Sequence, residues 1–396
     1  MRLLDTTTFE LRNGDQNSFC QEGYAILSHR WIDTCCINKN SATEEAESIN
    51  SMFKWYREAR LCITYLADVT RDVELPITSP RVFNRASSEE RSEWFFRGWT
   101  LQELLALQEM QFYDMDWTYM GTKREMAVTL ARVTRIDARY LSGAENFRDA
   151  CIAVKMSWMA LRKTTREEDM AYSMLGIFGI TMTPQYGEGQ GAFMRLQETL
   201  MATYLFDESL FAWQMPDLSS DSQHGVRKDK WAPSEWGLLA ASPEWFKDSG
   251  DIEMAPHESV TRSFAMTPQG LKAPIRRTLY TGEIMALEGV FGILWISFVG
   301  TIFGGIGFLY LKHKLNKKAK EDFAFALNCY RRDSDGKLAN VEIYLRPTSV
   351  DKVRYRYRKN PPSLVAKRIR CNELGIRFKS ATDLGEGVVL QPRPGF

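Results

Sequence analysis

Tyr24-Ala-Ile-Leu-Ser-His-Arg-Trp-Ile-Asp-Thr-Cys-Cys-Ile37 is an apolar run interrupted by Ser28, His29, Arg30 and Asp33, and it reads as two buried strands with something polar between them. From Ser41 the period changes. Ile49, Met52, Phe53, Tyr56 and Arg60 fall at i, i+3, i+4, i+7 and i+11, one face of a helix that begins near a Ser/Thr cap and carries Glu44, Glu45 and Glu47 in its first turns. Leu61-Cys-Ile-Thr-Tyr-Leu66 is then a short β-rich run. Strand, helix, strand is the grammar of a parallel sheet with crossover helices.

Working outward, residues 70–93 are polar, carry two prolines and read as a long surface loop. Trp94-Phe-Phe-Arg-Gly-Trp-Thr-Leu-Gln-Glu-Leu-Leu-Ala106 sets aromatics before a helix for which Thr100 or Gly98 is the expected cap, and Met110-Gln-Phe-Tyr113 is the next expected strand. Helical patterns follow over 149–162, 167–179 and 190–205, the last entered through Tyr186-Gly-Glu-Gly189. From Pro216 onward turn residues thicken and segments such as Val341-Glu-Ile-Tyr-Leu345 and Val353-Arg-Tyr-Arg-Tyr357 alternate, which indicates a smaller β-rich domain. The expected organisation is an α/β domain over 1–213 with a parallel sheet and extra helices, then a β-rich accessory domain over 214–283 and 319–396, interrupted by an apolar helix at 289–311.

That interrupting segment, Gly289 to Leu311, holds no charged residue, and as a helix it would span about 34 Å, enough for a bilayer core. Lys312, Lys314, Lys317, Lys318 and Lys320 follow at once. A single membrane span and a buried apolar helix are the two readings, and the lysine cluster favours the span.

The 396 residues carry 51 Lys plus Arg against 50 Asp plus Glu, so the net charge of +1 makes no whole-chain electrostatic case for a nucleic-acid partner. The seven cysteines are scattered and mostly set in apolar runs, as buried free thiols in a reducing compartment are. Adjacent Cys35 and Cys36 would point to opposite faces of a strand, and no Cys/His spacing offers a metal site. The Met1-Arg-Leu-Leu-Asp-Thr-Thr-Thr8 start lacks the apolar core of a signal peptide, so a cytoplasmic protein, with or without the single anchoring helix, is the expectation.

Several blocks together resemble the heterokaryon-incompatibility (HET) domain of filamentous fungi. They are Met1-Arg-Leu-Leu-Asp-Thr6, Tyr24-Ala-Ile-Leu-Ser-His29, Trp31-Ile-Asp-Thr-Cys-Cys-Ile-Asn38, Ile49-Asn-Ser-Met-Phe53, Trp94-Phe-Phe-Arg-Gly-Trp-Thr-Leu-Gln-Glu-Leu104, Glu168-Asp-Met-Ala-Tyr172 and Tyr186-Gly-Glu-Gly189, in the family's order. Ala241-Ser-Pro-Glu-Trp-Phe246, Met266-Thr-Pro-Gln-Gly-Leu271 and Phe323-Ala-Phe-Ala-Leu-Asn-Cys329 resemble the β-rich region that often follows the domain. The pattern departs in two places, one being the apolar segment 289–311 that interrupts the C-terminal resemblance. Family members usually place Gly and a helical stretch between Ser-His-x-Trp and the next Trp-Ile-Asp, whereas Ser28-His29-Arg30-Trp31 runs straight into Ile32-Asp33, a shortfall on the order of 30 residues, one βα unit.

The resemblance implies a TIR-like, flavodoxin-like fold in which a glutamate near the strand ends serves NAD glycohydrolysis. In the family pattern an acidic residue stands eight positions after the cysteine of Cys-Ile-Asn, and Glu44 holds that place relative to Cys36. Glu44 is thus the candidate catalytic carboxylate, since breaking the nicotinamide glycosidic bond develops oxocarbenium charge. The alternative is a glutamate that merely favours its helix N-terminus. His29 and Asp33, at strand ends, are candidate ligand contacts, or else a packed polar residue and a turn cap. Arg97 and Gln102 are candidates for the phosphates or nicotinamide of the dinucleotide, while Trp94, Phe95 and Trp99 read as core anchors. Tyr186-Gly-Glu-Gly-Gln-Gly191 lacks a phosphate-loop spacing and reads as a helix-entry turn.

The function so implied is fungal non-self recognition with a cell-death output, through NAD cleavage, NAD being substrate and no cofactor required, or through protein partners and self-association. A non-catalytic interaction module and a degenerate inactive copy are the alternatives. Nucleic acid is not among the expected partners; a membrane is, through 289–311.

Overall fold

The computed structural model describes residues 2–4, 11–13, 24–28, 41–107, 109–216, 235–254, 265–267, 270–273, 322–332, 335–350, 364–371, 373–377 and 388–390. His29, Asp33, the Trp31–Ile37 block, Val353–Tyr357 and the apolar segment 289–311 lie outside these residues. The chain divides into two compact units, the first formed by Met1–Leu200 with Ala241–Ile252 and the second by Met201–Ala240 with Glu253–Phe396.

In the first unit, β1 (Arg2–Leu4) pairs antiparallel with β2 (Leu11–Asn13) as a separate ribbon. The main sheet runs in the order β3 (Ala25–Ser28), β4 (Leu61–Tyr65), β5 (Met110–Tyr113), β6 (Tyr119–Thr122). β3 and β5 both flank β4 in parallel, with Ala25 opposite Leu61 and Cys62 opposite Met110, and β6 closes the sheet antiparallel. The first of the two expected strands in 24–37 is therefore β3. It reaches β4 through α1 (Ala42–Glu58), so the short join after Ser28 does not displace the strand from the sheet. A parallel pair needs about a dozen residues of crossover, and residues 29–60 supply them.

α1 begins where the sequence indicates. Ser41 is its N-cap and accepts from the Glu44 amide at 3.3 Å, with Glu44 and Glu45 in the first turn and Arg57 in the last. Ile49, Phe53 and Tyr56 are buried as the periodicity requires. Arg60 is not on that face: the helix stops at Glu58, and the Arg60 amide donates to the Tyr24 carbonyl at 2.8 Å as the chain turns into β4.

Two local expectations are corrected. The polar stretch 70–93 is more than a surface loop, because a 3-10 turn over Pro80–Phe83 drives Phe83 fully into the core against Phe95 and Phe112. One aromatic anchor has no period, so the pattern could not show it. Nor is α2 (Thr100–Ala106) capped by a side chain: its N-cap is Trp99, and the Thr100 hydroxyl donates to the Trp94 and Arg97 carbonyls at 2.7 and 2.9 Å. Trp94 and Phe95 are buried anchors as expected, and the Trp94 indole donates to Ser28 Oγ at 2.7 Å, tying this block to the end of β3.

The remaining helices are α3 (Ala127–Thr134), α4 (Ala138–Leu141), α5 (Ile152–Met159), α6 (Asp169–Tyr172), α7 (Leu175–Phe178) and α8 (Gly191–Thr203). α5 is buried on every side, against the Pro243–Phe246 turn of the returning 241–252 segment among other elements. The pattern over 167–179 is two short helices, the second closed by Gly179 in the left-handed conformation at φ 69°.

β7 (Ile252–Met254), at the passage from the first unit to the second, joins β8 (Ala265–Thr267), β9 (Gly270–Ala273), β10 (Phe323–Arg332), β11 (Leu338–Val350), β12 (Leu364–Ile369), β13 (Gly375–Arg377) and β14 (Val388–Leu390) of the second unit in one sheet, in which β10–β11, β11–β12, β11–β13, β14–β9 and β8–β9 pair antiparallel and β12–β14 parallel. Phe325, Leu327 and Cys329 on β10, and Val341, Ile343 and Leu345 on β11, are buried with the alternation of a sheet that has one covered face. Cys62, Cys151, Cys329 and Cys371 are buried and form no disulfide among the described residues. No helix among the described residues is long and apolar enough to cross a membrane, and none of them offers a cluster of His, Cys, Asp or Glu fit to hold a metal ion.

Candidate functional site

Parallel strands followed by helices bring helix N-termini to the carboxyl edge of the sheet, the usual place for ligands in α/β folds. Here α1 leaves that edge with Ser41, Glu44 and Glu45 at its start. Glu44 is half-buried. The helix is bolted in place one and a half turns later by a reciprocal pair: Asn50 Nδ2 donates to the Met182 carbonyl at 3.0 Å, and the Met182 amide donates to Asn50 Oδ1 at 3.1 Å.

Beside this helix start lies a polar network that joins sequence blocks far apart in the chain. Glu45 contacts Arg166 at 3.7 Å, the Arg166 guanidinium sits 4.1 Å above the Tyr186 ring, and the Tyr186 hydroxyl donates to Asp169 at 3.0 Å. The Trp99 indole donates to the same Asp169 carboxylate. Burial holds the Asp169 carboxyl above its ordinary range despite these two donors, and burial together with the facing Asp169 raises the Tyr186 phenol.

A second set of contacts locks the 186–189 turn. Glu168 Oε1 accepts from the amides of Gly187 and Gly189 at 2.7 and 3.0 Å, and both glycines adopt positive φ, 103° and 54°, which lets the turn present its N–H groups to one carboxylate oxygen. The backbone N–H groups, its own included, hold Glu168 below the usual carboxylate range. Tyr172 donates to Glu188 at 2.6 Å and accepts from the Gln185 amide at 2.7 Å, while Arg195 grips Glu188 in a bidentate pair. Burial, then the Glu188 bond, pushes the Tyr172 phenol up to about 12.

The candidate dinucleotide contacts on the Trp94–Ala106 block behave differently from their neighbours. The Arg97 carbonyl accepts from Arg162 and from Thr100, both at 2.9 Å, but its half-buried guanidinium makes no hydrogen bond or ion pair among the described residues. Gln102 is fully buried, and neither its amide oxygen nor its nitrogen has a partner among the described residues. Trp99 links this block, through Asp169, Tyr186 and Arg166, to Glu45, the neighbour of Glu44. The structure therefore connects the start of α1 to the Arg97 block, encloses Gln102 in the core, and describes neither His29 nor Asp33.

The residues that the sequence reading did not single out are Arg166, Asp169, Tyr186, Glu168 and Glu188. The 186–191 turn does lead into α8, as expected. Its acids and tyrosines were a usable signal, because a glycine-rich turn with a charged residue inside it needs a fixed partner.

The first unit is thus an α/β domain whose strand-end edge carries a carboxylate-bearing helix start, a tyrosine–carboxylate network and an unpaired arginine. Residues 20–91 match the family model described as Heterokaryon incompatibility protein (HET), and residues 191–277 match one described as a domain of unknown function, DUF8212. Over 171 residues the chain is 41% identical to the vegetative incompatibility protein HET-E-1 of Podospora anserina, a stretch that makes up 43% of this chain and 12% of that relative. The chain therefore carries a region that matches the HET domain, within the first unit. It spans only that small share of the relative's length, and no solved structure matches it.

Proposed function

We propose that this protein acts in vegetative incompatibility as a non-self recognition and cell-death effector, and that its first unit does so by TIR-like cleavage of NAD. Heterokaryon incompatibility is the family-level statement, supported by the HET match and by the identity to HET-E-1. The observation that carries the finer reading is the half-buried Arg97 guanidinium, without a hydrogen bond or ion pair among the described residues, on a block linked to the start of α1, where Thr100, Trp99 and Arg162 beside it are engaged. Buried polar groups are nearly always paired, so groups left over are groups for a ligand to take up. Arg97 suits a pyrophosphate oxygen.

In the proposed step the bond between ribose C1′ and the nicotinamide nitrogen breaks, and its electron pair returns to the pyridinium ring, which leaves as neutral nicotinamide. The Glu44 carboxylate stabilises the oxocarbenium ion, water adds to C1′ and loses a proton, and ADP-ribose results. Full-length protein incubated with NAD is expected to release nicotinamide, measured by chromatography, and Glu44→Gln is expected to abolish the release without lowering thermal stability. Absence of release by the unmodified protein, or undiminished release by the variant, would overturn the assignment.

A specific observation favours the non-catalytic reading as the second choice. Trp117, 53% exposed, stacks on Tyr65 at 4.5 Å and neighbours Tyr113, which in turn meets exposed Tyr119. Exposed aromatic clusters are what interaction surfaces use. Trp117→Ser that abolishes self-association or cell death, in a protein that never releases nicotinamide, would select that reading.

A further inference from the structure

At the opposite end of α1 from Glu44 lies a cavity of about 560 Å³, large enough for a small organic ligand. Thirteen residues of helix separate Glu44 from Arg57 on its wall, a distance of about 20 Å. The cavity is therefore distinct from the strand-end site, and nothing argued for that site bears on it.

Its lining is cationic in excess. Arg57, Arg60, Arg124, Arg148 and Lys123 face two acids, Glu109 and Glu145. Lys123 is committed, donating to the Leu104 and Leu107 carbonyls at the end of α2, and Glu145 is committed to Arg139 at 3.4 Å. Arg57 pairs with its neighbour Glu58 at 3.9 Å with both side chains exposed, a pair of little strength. The side chains of Arg60 and Arg124 form no hydrogen bond or ion pair among the described residues. Arg148 is held over the rings of Phe53 and Phe147, 5.2 and 5.5 Å from their centroids, which orients its guanidinium without consuming its outward donors.

Unused guanidinium forks around one cavity match phosphate oxygens, whereas the rings of Tyr140 and Phe147 on its wall already carry Arg139 and Arg148 over them. We propose that this cavity binds a small ligand bearing a diphosphate group, with Arg60, Arg124 and Arg148 on the phosphates.

The probes are inorganic pyrophosphate and ADP, titrated calorimetrically into the full chain. Both are expected to bind, through the diphosphate they share. The double variant R60E/R124E is expected to weaken both by about tenfold or more with unchanged circular dichroism and thermal midpoint. Glu44→Gln is expected to leave both affinities unchanged, which separates this proposal from the NAD reading. Failure of both probes to bind at millimolar concentration, binding undiminished in R60E/R124E, or binding lost in Glu44→Gln would each overturn it.

Discussion

Glu168→Ala is the substitution that most directly tests whether the 168–172 and 186–189 blocks act as one device. One carboxylate oxygen, on a residue 7% exposed, holds the amides of Gly187 and Gly189. Hydrogen bonds to a charged acceptor contribute about 1.5–3 kcal/mol each, so two would give about 3–6 kcal/mol if both donors were left dry. They are not left dry: Gly187 is exposed and Gly189 half-buried, so water takes up much of what the variant frees. The expected cost is therefore near the lower bound for a single charged bond, about 2 kcal/mol, and about 1 kcal/mol for Glu168→Gln, which keeps a neutral acceptor. The chain has two units, so a global midpoint is a blunt measure. Amide hydrogen exchange of residues 186–191 reads the turn itself, and protection there should fall by about thirtyfold in Glu168→Ala. The pH dependence follows with a definite sign. Glu168 lies below its ordinary value of 4.5 in the folded protein, so its contribution is full above that value and is lost as the pH falls through the lower folded pKa. Wild type and Glu168→Gln should accordingly converge in acid. Unchanged exchange at 186–191 in Glu168→Ala, or a gap from Glu168→Gln that widens on acidification, would refute the reasoning.

Two further outcomes follow from packing and burial. A Cβ at Gly176 would stand 2.0 Å from Phe53 Cβ and 2.6 Å from its Cγ, and Phe53 is 4% exposed, so Gly176→Ala should force α7 off α1 and lower stability by about 2–3 kcal/mol. A denaturation midpoint equal to wild type would contradict the fit. Burial lowers Lys123 to about 8 from an ordinary 10.5, so the unfolded chain binds more protons between those values and stability contributed by this group rises with pH across that window. Lys123→Met should lose that rise, and equal slopes for the two proteins between pH 8 and about 10 would dismiss the buried, proton-shedding ammonium.

Much of the first unit was legible because its signals are local. Ser41 with the glutamates after it and the spacing Ile49, Phe53, Tyr56 announce α1 without reference to anything distant, and Leu61-Cys-Ile-Thr-Tyr65 and Met110-Gln-Phe-Tyr113 announce strands in the same way. The alternation of Val341, Ile343 and Leu345 did so for the second unit. What escaped were single anchors and returns of the chain: Phe83 inside a polar loop, the break at Ser173–Met174 between α6 and α7, and the 241–252 segment that packs Trp245 and Phe246 with the first unit. None of these has a period.

The candidate site divides along the same line. From the residues and their family resemblance alone, Glu44 could be put at the start of a helix behind a strand, and Arg97 and Gln102 in one block beside buried aromatics, since each statement concerns neighbours in the chain. Only the tertiary structure decided that Trp99, Asp169 and Tyr186 share one carboxylate and that Glu168 holds the glycine turn. Hydrogen bonds across many residues depend on how helices pack, and no stretch of sequence encodes a distance. It likewise decided that Gln102 is enclosed and Arg97 is not, because burial belongs to the assembled core and not to the residue.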